Sequence, residues 1–165
     1  MNTTFYIFRH GETFATKAGK GYGMRVFSAP LLPEATGALE RMGEYLKSID
    51  TDFNVSSAVR RCRETVAIIS TVSGKEFFFD KRLNEFFLES VGHLEKRLQR
   101  LLDDIEKNAY KRVLICTHGA CLSLLITLLS IKKDHHTSYN LFQYPPPGVL
   151  TIIIGNTIQE VNFNT

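Results

Sequence analysis

Two histidines in this sequence stand in matching surroundings. His10 follows the apolar run Thr3 to Phe8, and His118 follows Val113 to Cys116. A glycine comes directly after each, Gly11 and Gly119. Both runs read as short buried strands. In an open α/β sheet, ligands bind beyond the carboxyl ends of parallel strands, so two strand-end histidines can meet in one site. Glycine there lets backbone approach a ligand closely. Arg9 adjoins the first histidine. Arg61 and Arg63 open a helix after another strand, where helix N-termini attract anions and a guanidinium matches phosphate in a two-pronged fork. Glu85 follows a further strand. Each feature alone has an ordinary reading: a structural strand-end histidine, a solvated basic turn, a surface carboxylate. The combination is far more specific than any member, and the chemistry it suits is recognition of a phosphate-like anion.

The elements that must position these residues alternate. After the first strand, Phe14 to Pro33 carries Gly19, Gly21, Gly23, Pro30 and Pro33, with Lys17, Lys20 and Arg25, and reads as a long mobile loop. Glu34 to Ile49 has Leu39, Met42, Tyr45, Leu46 and Ile49 at helical spacing, with Pro33 and Glu34 suited to a first turn. Phe53 to Ser56 is a second strand. Ser56-Ser57 offers a cap for a helix over Val59 to Val72, which Ser73-Gly74 ends. Glu76 to Phe79 is a third strand. Ser90 to Asn108 is a helix with one stripe of Val91, Leu94, Leu98, Leu101, Leu102 and Ile105. Ala120 to Ile131 is an apolar, buried helix. Pro145 to Gly148 is a stiff connector. Val149 to Ile154 and Thr157 to Val161 flank Gly155-Asn156 as a hairpin with a two-residue turn. This order predicts a three-layer α/β sandwich over residues 1–165, one domain. Its central sheet is mostly parallel, with one antiparallel edge hairpin and helices on both faces.

Composition sets the outer bounds. A chain of 165 residues buries roughly 70% of its unfolded surface, enough for a core without staples. Hydrophobic residues at 44% and charged residues at 22% exclude a disordered chain. A net charge of +3 is too mild to mark a nucleic-acid binder. Three cysteines, Cys62, Cys116 and Cys121, show no CxxC spacing, which argues against a disulfide scaffold or a structural zinc site. No secretory leader is legible, and the longest apolar stretch is about half of the ~20 residues a spanning helix needs. The expectation is a cytoplasmic protein that binds neither membrane nor nucleic acid.

Five segments carry a family resemblance, in order along most of the chain. Arg9-His10-Gly11-Glu12-Thr13 resembles the signature of the histidine phosphatase superfamily, the phosphoglycerate mutase-like proteins. Leu31-Leu32-Pro33-Glu34-Ala35 is similar to that family's Leu-Thr-Pro-Glu-Gly. Ser56-Ser57-Ala58-Val59-Arg60-Arg61-Cys62-Arg63-Glu64-Thr65 resembles its Ser-Ser-Pro-Leu-x-Arg-Ala-x-x-Thr, which matches Arg61. Arg82-Leu83-Asn84-Glu85 resembles the acid-bearing segment, and Thr117-His118-Gly119 the second His-Gly. The resemblance implies that His10 attacks phosphorus and forms a phosphohistidine. Arg9, Arg61 and His118 would hold the phosphoryl oxygens. Glu85 would protonate the leaving oxygen and then accept a proton from water, with Glu12 or Glu89 as neighbours able to raise its pKa. Gly11, Thr16 and Ala120 would contact substrate. No metal or other cofactor is implied, because arginines replace the cation.

Departures refine the expectation. Thr16 stands where the family often has Asn, and Ala35 where it has Gly. Phe86-Phe87-Leu88-Glu89-Ser90 replaces a Gly-aromatic-Glu-Gly stretch and runs straight into the next helix. The capping insertion of larger members is missing, so the site should be open. An open pocket admits water and favours hydrolysis over mutase chemistry. The expected activity is a phosphatase acting on a small phosphorylated metabolite, or next on a phosphoprotein. A phosphoglycerate-type mutase and a phosphate-binding regulatory protein without turnover are the alternatives. Phe86, Phe87, Tyr139, Phe142 and Tyr144 are candidates for the rim. His135-His136 reads as a surface loop. Arg61 and Arg63 flank Cys62, a setting that lowers a thiol pKa.

Overall fold

The computed structural model describes residues 2–130 and 140–165. Six strands form one sheet: β1 (Thr4–Arg9), β2 (Phe53–Ser56), β3 (Phe78–Phe79), β4 (Arg112–Thr117), β5 (Val149–Ile154) and β6 (Thr157–Asn162). Their spatial order is β3-β2-β4-β1-β5-β6. The pairs β1–β4, β2–β4 and β2–β3 are parallel, while β5 runs antiparallel to β1 and β6 to β5. The expected mixed sheet is therefore present, and its hairpin turns at Gly155, whose φ of 57° suits glycine.

Alternation along the central strands sends side chains into two layers. Phe5, Ile7, Val113 and Ile115 face α4 (Val91–Lys107) and α5 (Gly119–Ser130), where Leu94, Leu98, Leu101, Leu122 and Leu125 complete one core. Phe8, Leu114, Cys116, Leu150 and Ile152 face α2 (Thr36–Lys47) and α3 (Arg60–Ser73), packing on Leu39, Met42, Cys62, Val66 and Ile69. A strand covered on both sides has no solvent face, which is why Val113 to Cys116 is apolar throughout. Helices α2 and α3 approach closely at Gly43, where a Cβ would lie 2.9 Å from that of Val72. Cys62, Cys116 and Cys121 are all buried and free. Among the described residues, no helix is long and apolar enough to cross a membrane.

Three local expectations are corrected. Phe14 to Pro33 is not a continuous loop. It opens with a short helix, α1 (Phe14–Ala18), and includes a 3₁₀ turn at Gly23–Arg25. Thr13 and Thr16 form a reciprocal capping box that nucleates α1 without the usual acidic residue. The third strand is shorter than expected, Phe78–Phe79; before it, the Glu76 carbonyl accepts from the Asn54 side-chain amide at 3.0 Å. Helix α3 has Val59 as its N-cap, with no side-chain cap bond from that residue; the expected serine contributes one bond just before it, Ser57 Oγ accepting from the Val59 N–H at 3.2 Å. Tyr139, His135 and His136 lie outside the described residues.

Candidate active site

The parallel register of β1 and β4 sets Arg9 opposite Thr117. The next residues, His10 and His118, therefore leave the sheet side by side. The His10 N–H donates to the Thr117 carbonyl at 3.0 Å, and the two rings lie 5.4 Å apart. His10 is fully buried. Its Nδ1 lies 2.7 Å from the Gly11 carbonyl. A carbonyl only accepts, so Nδ1 carries the proton and Nε2 keeps its lone pair. Burial lowers the pKa of His10 well below the ordinary histidine value, and His118, Arg61 and Arg9 lower it further. The ring is thus a neutral nitrogen nucleophile with a defined reactive atom.

Gly11 serves this orientation. Its N–H donates to Thr65 Oγ1 at 2.8 Å, and that hydroxyl donates to the Arg61 carbonyl at 2.7 Å. A Cβ at Gly11 would lie 2.8 Å from Leu39 Cδ1. The backbone of Gly11 is thus engaged in holding His10, where direct substrate contact was expected.

Arg61, in the first turn of α3, is fully buried. Its Nη1 donates to the Val26 carbonyl, and its Nη2 lies 2.9 Å from Glu85 Oε2 and 3.1 Å from His118 Nδ1. Arg9 lies over the Tyr144 ring at 4.6 Å and reaches the Pro145 carbonyl at 3.5 Å. Gly119 makes room for that ring, since a Cβ there would lie 2.6 Å from it. Arg63 is placed apart: it is exposed, donates to the Ala58 carbonyl at 2.7 Å and covers Phe79. Only Arg61 of the two enters the site.

A chain of bonds assigns the proton on His118. The Ala58 N–H donates to Asn84 Oδ1 at 3.0 Å, which identifies that atom as the amide oxygen. Ser57 must then donate its single proton to Asn84 Oδ1, also at 3.0 Å. It accepts in turn from His118 Nε2–H at 2.8 Å. The Cys62 sulfur lies 3.5 Å from the same nitrogen. Both ring nitrogens of His118 are engaged in this state, Nδ1 toward Arg61 and Glu85. Burial opposes charge on the ring, but Cys62 and Glu85 outweigh it and raise the pKa.

Glu85 closes the cluster. Its Oε1 accepts from the Phe86 N–H at 3.0 Å, and its Oε2 is shared by Arg61 and His118, the latter at 3.3 Å. Burial pushes the carboxyl up, yet His118 and Arg61 prevail and bring it down to about 2. An acid donor was expected here; the site instead holds a carboxylate. The neighbours expected to raise it are elsewhere. Glu89 is tied to Arg97 at 2.5 Å, and Glu12 lines a separate depression beside Pro146. A depressed carboxyl stabilises the fold above its unfolded pKa, and the gain is lost as pH falls from about 4.5 toward 2. Glu85→Gln should therefore be less stable than wild type at pH 7, by on the order of 3 kcal/mol. Urea titrations should show that gap narrowing between pH 5 and pH 3.

A cleft of about 580 Å³ opens onto the cluster. Arg9, Tyr22, Glu85, Phe86, Phe142 and Tyr144 line it, with Thr16 and Ala120. Ala120 lies in the first turn of α5, which begins directly after His118. Thr16 borders the cleft, but its hydroxyl donates to the Thr13 carbonyl at 3.1 Å. Its proton goes to that carbonyl, while its oxygen accepts from the Thr13 N–H at 2.8 Å in the capping box. Phe87 packs edge-on against Phe27 instead of joining the rim. Sequence reasoning missed Thr65 and Asn84 as orienting residues, although both lie inside segments that carried the resemblance. It also missed Tyr22, a single tyrosine in a glycine-rich stretch that offers no periodicity or partner spacing to read.

The family model of the histidine phosphatase superfamily (branch 1) matches residues 5–89 and 88–156. Among curated proteins, the probable phosphoglycerate mutase GpmB of Citrobacter koseri is 32% identical over 110 residues, 67% of this chain and 48% of that protein. The chain spans about half the length of the curated relatives it matches. Among solved structures, a putative alpha-ribazole-5'-P phosphatase from Escherichia coli superimposes with a TM-score of 0.77 at 16% identity, over 100% of this chain and 97% of that one. A mycobacterial glucosyl-3-phosphoglycerate phosphatase complexed with VO3 gives 0.77 at 16% identity, over 96% of each chain. These likenesses show the fold. The family match spans both strand ends where His10 and His118 meet, and with it the chain belongs to branch 1 of the histidine phosphatase superfamily.

Proposed function

We propose that this protein is a phosphatase that hydrolyses a phosphomonoester through a phosphohistidine on His10 Nε2. The observation that carries the reading is the neutral Nε2 of His10, oriented by Gly11 and buried with Arg61 and His118 next to a cleft that Arg9, Tyr22 and Glu85 line. Attack by Nε2 on phosphorus breaks the ester bond and leaves the phosphoryl group on the ring. Arg9, Arg61 and His118 neutralise charge on the phosphoryl oxygens, in place of a metal. A phosphate dianion competes with Glu85 for Arg61 and His118. As Arg61 and His118 turn to the phosphate, the interactions that lower the Glu85 pKa are removed and the added negative charge raises it. Glu85 can then take up a proton and deliver it to the leaving oxygen. In the second step it accepts a proton from the water that attacks phosphorus and frees His10.

The open cleft supports water as acceptor, and the phosphatases among the structural neighbours support the same reading. The aromatic lining suits a small phosphorylated metabolite ahead of a phosphoprotein, and three free thiols suit the cytoplasm. The mutase reading draws on the curated relatives' name. Rapid acid and alkali quenches of a reaction with a ³²P-labelled aryl phosphate, EDTA present, decide between them. The expected result is protein-bound label stable to alkali and lost in acid, with phosphate released and no bisphosphorylated primer required. Turnover that depends on such a primer, with transfer to a phosphoglycerate, would establish the mutase. Phosphate binding without label or turnover would establish a binding protein.

A further inference from the structure

Tyr22 stands out once the rest of the site is assigned. Residues 17–25 are all exposed except Tyr22, which is turned inward from an arm otherwise in solvent. Its hydroxyl lies 3.4 Å from His10 Nε2 and 2.9 Å from Thr13 Oγ1. Nε2 has only a lone pair to offer, so the phenol donates to it. Its ring covers the Arg61 guanidinium, 4.0 Å from Cζ to centroid. With the ring in place, the buried Nε of Arg61 has no hydrogen-bond partner among the described residues.

A phosphorus atom poised for attack stands about 3–3.5 Å from its nucleophile. The Tyr22 oxygen is already at that distance. It uses the same lone pair and the same guanidinium that the reaction requires. We infer that Tyr22 occupies the phosphoryl position in the resting protein, and that a phosphoester enters only by exchange for its phenol. Tyr22 is thus a residue that sets the affinity of the site.

The arm is built for such an exchange. At one end α1 is fixed by its capping box. At the other, Val26 accepts from Arg61 and Ala29 is fully buried. Between these anchors lie Gly19, Gly21 and Gly23, with positive φ at Gly19 and Gly23. Glycine rotates through such conformations at little cost, so Tyr22 can swing out while both anchors hold. Exchange also lowers the apparent affinity for every phosphorylated ligand by the stability of the covered state. It keeps an unoccupied nucleophile from reacting with chance electrophiles.

This inference rests on His10 as the nucleophile, and its test does not need turnover. Tyr22→Phe keeps the ring over Arg61 and removes the contact with Nε2; Tyr22→Ala removes both. Calorimetric titration with inorganic phosphate should show binding tightened about fivefold in Tyr22→Phe, the worth of one net hydrogen bond, and further in Tyr22→Ala. Diethylpyrocarbonate should modify His10, followed by mass spectrometry of its peptide, faster in both variants than in wild type. Any turnover should show a lower KM. Weaker phosphate binding in Tyr22→Phe would overturn the inference and make Tyr22 a ligand of phosphate. Unchanged binding with unchanged His10 reactivity would overturn it as well. If no protein turns over yet phosphate binding tightens, the phosphatase reading fails and the exchange stands.

Discussion

Substituting His10 with alanine should abolish turnover of an aryl phosphate, with kcat/KM falling at least about 10⁴-fold. No other side chain in the site can replace it. His118 lies in the same pocket, but both its nitrogens are committed, to Ser57 on one side and to Arg61 and Glu85 on the other. Fold and anion binding should survive. Among the described residues the His10 ring bonds only to Gly11 and Tyr22, its backbone bond to Thr117 is kept in the variant, and Arg9 and Arg61 remain. The check is steady-state kinetics beside phosphate titration of the same variant. The wild-type pH profile carries a matching signature. Because the pKa of His10 is lowered, the ring stays neutral well below the ordinary histidine range, so loss of activity near pH 6.5 should not arise from this residue. Retention of more than a few per cent of activity in the variant would sink the role assigned to Nε2.

Removal of Arg61 should damage both activity and fold. Its guanidinium is fully buried and is the shared partner of Glu85, His118 and the Val26 carbonyl. Arg61→Ala leaves the Glu85 carboxylate buried beside only His118, and stranding one partner of a buried pair costs about 3–5 kcal/mol. Turnover should fall about 10²–10³-fold or more from loss of a fixed donor to the phosphoryl oxygens. Arg61→Lys should recover part of the stability and little of the rate, because an ammonium supplies charge without the planar fork. Arg63→Ala is the internal comparison. That side chain sits in the same short motif but on the surface, and its loss should change stability by less than about 0.5 kcal/mol. Urea denaturation and kcat/KM on the three variants test the contrast; an Arg61→Ala protein as stable as Arg63→Ala would contradict the assigned geometry.

How far the sequence reaches into this site depends on the range of the forces involved. Strands β1 and β4 are legible because a doubly covered strand must be apolar at every position, and the stripe of α4 because one face of a helix must be. The meeting of His10 and His118 follows from two parallel strands ending in the same register. The outcome at Ser57 is different. Its local context suggests a cap, and that residue does accept from the Val59 N–H at 3.2 Å. Its stronger partners come from Asn84 and His118, which only the folded sheet brings near. Thr16 shows the converse: a local capping box claims a hydroxyl that the family pattern assigns to substrate. The ionisation of Glu85 could not be read at all. It depends on Arg61 and His118, which arrive from α3 and from the end of β4, and burial alone would have given the opposite sign.

Strand β4 lies between β1 and β2, although it is made after both. The sheet therefore cannot zip in the order of synthesis. Thr4 pairs with Arg112, and closing so long a loop is slow compared with local helix formation. A nascent chain can already carry His10, Arg61 and Glu85, yet it lacks the strand that lies between β1 and β2 and joins them. Until β4 inserts, the apolar faces of α2, α3 and α4 have no complete sheet to cover, and such intermediates are prone to associate. Insertion also delivers His118. The step that buries the core is thus the step that brings His118 to His10, Arg61 and Glu85, and a protein short of that step has neither core nor cluster.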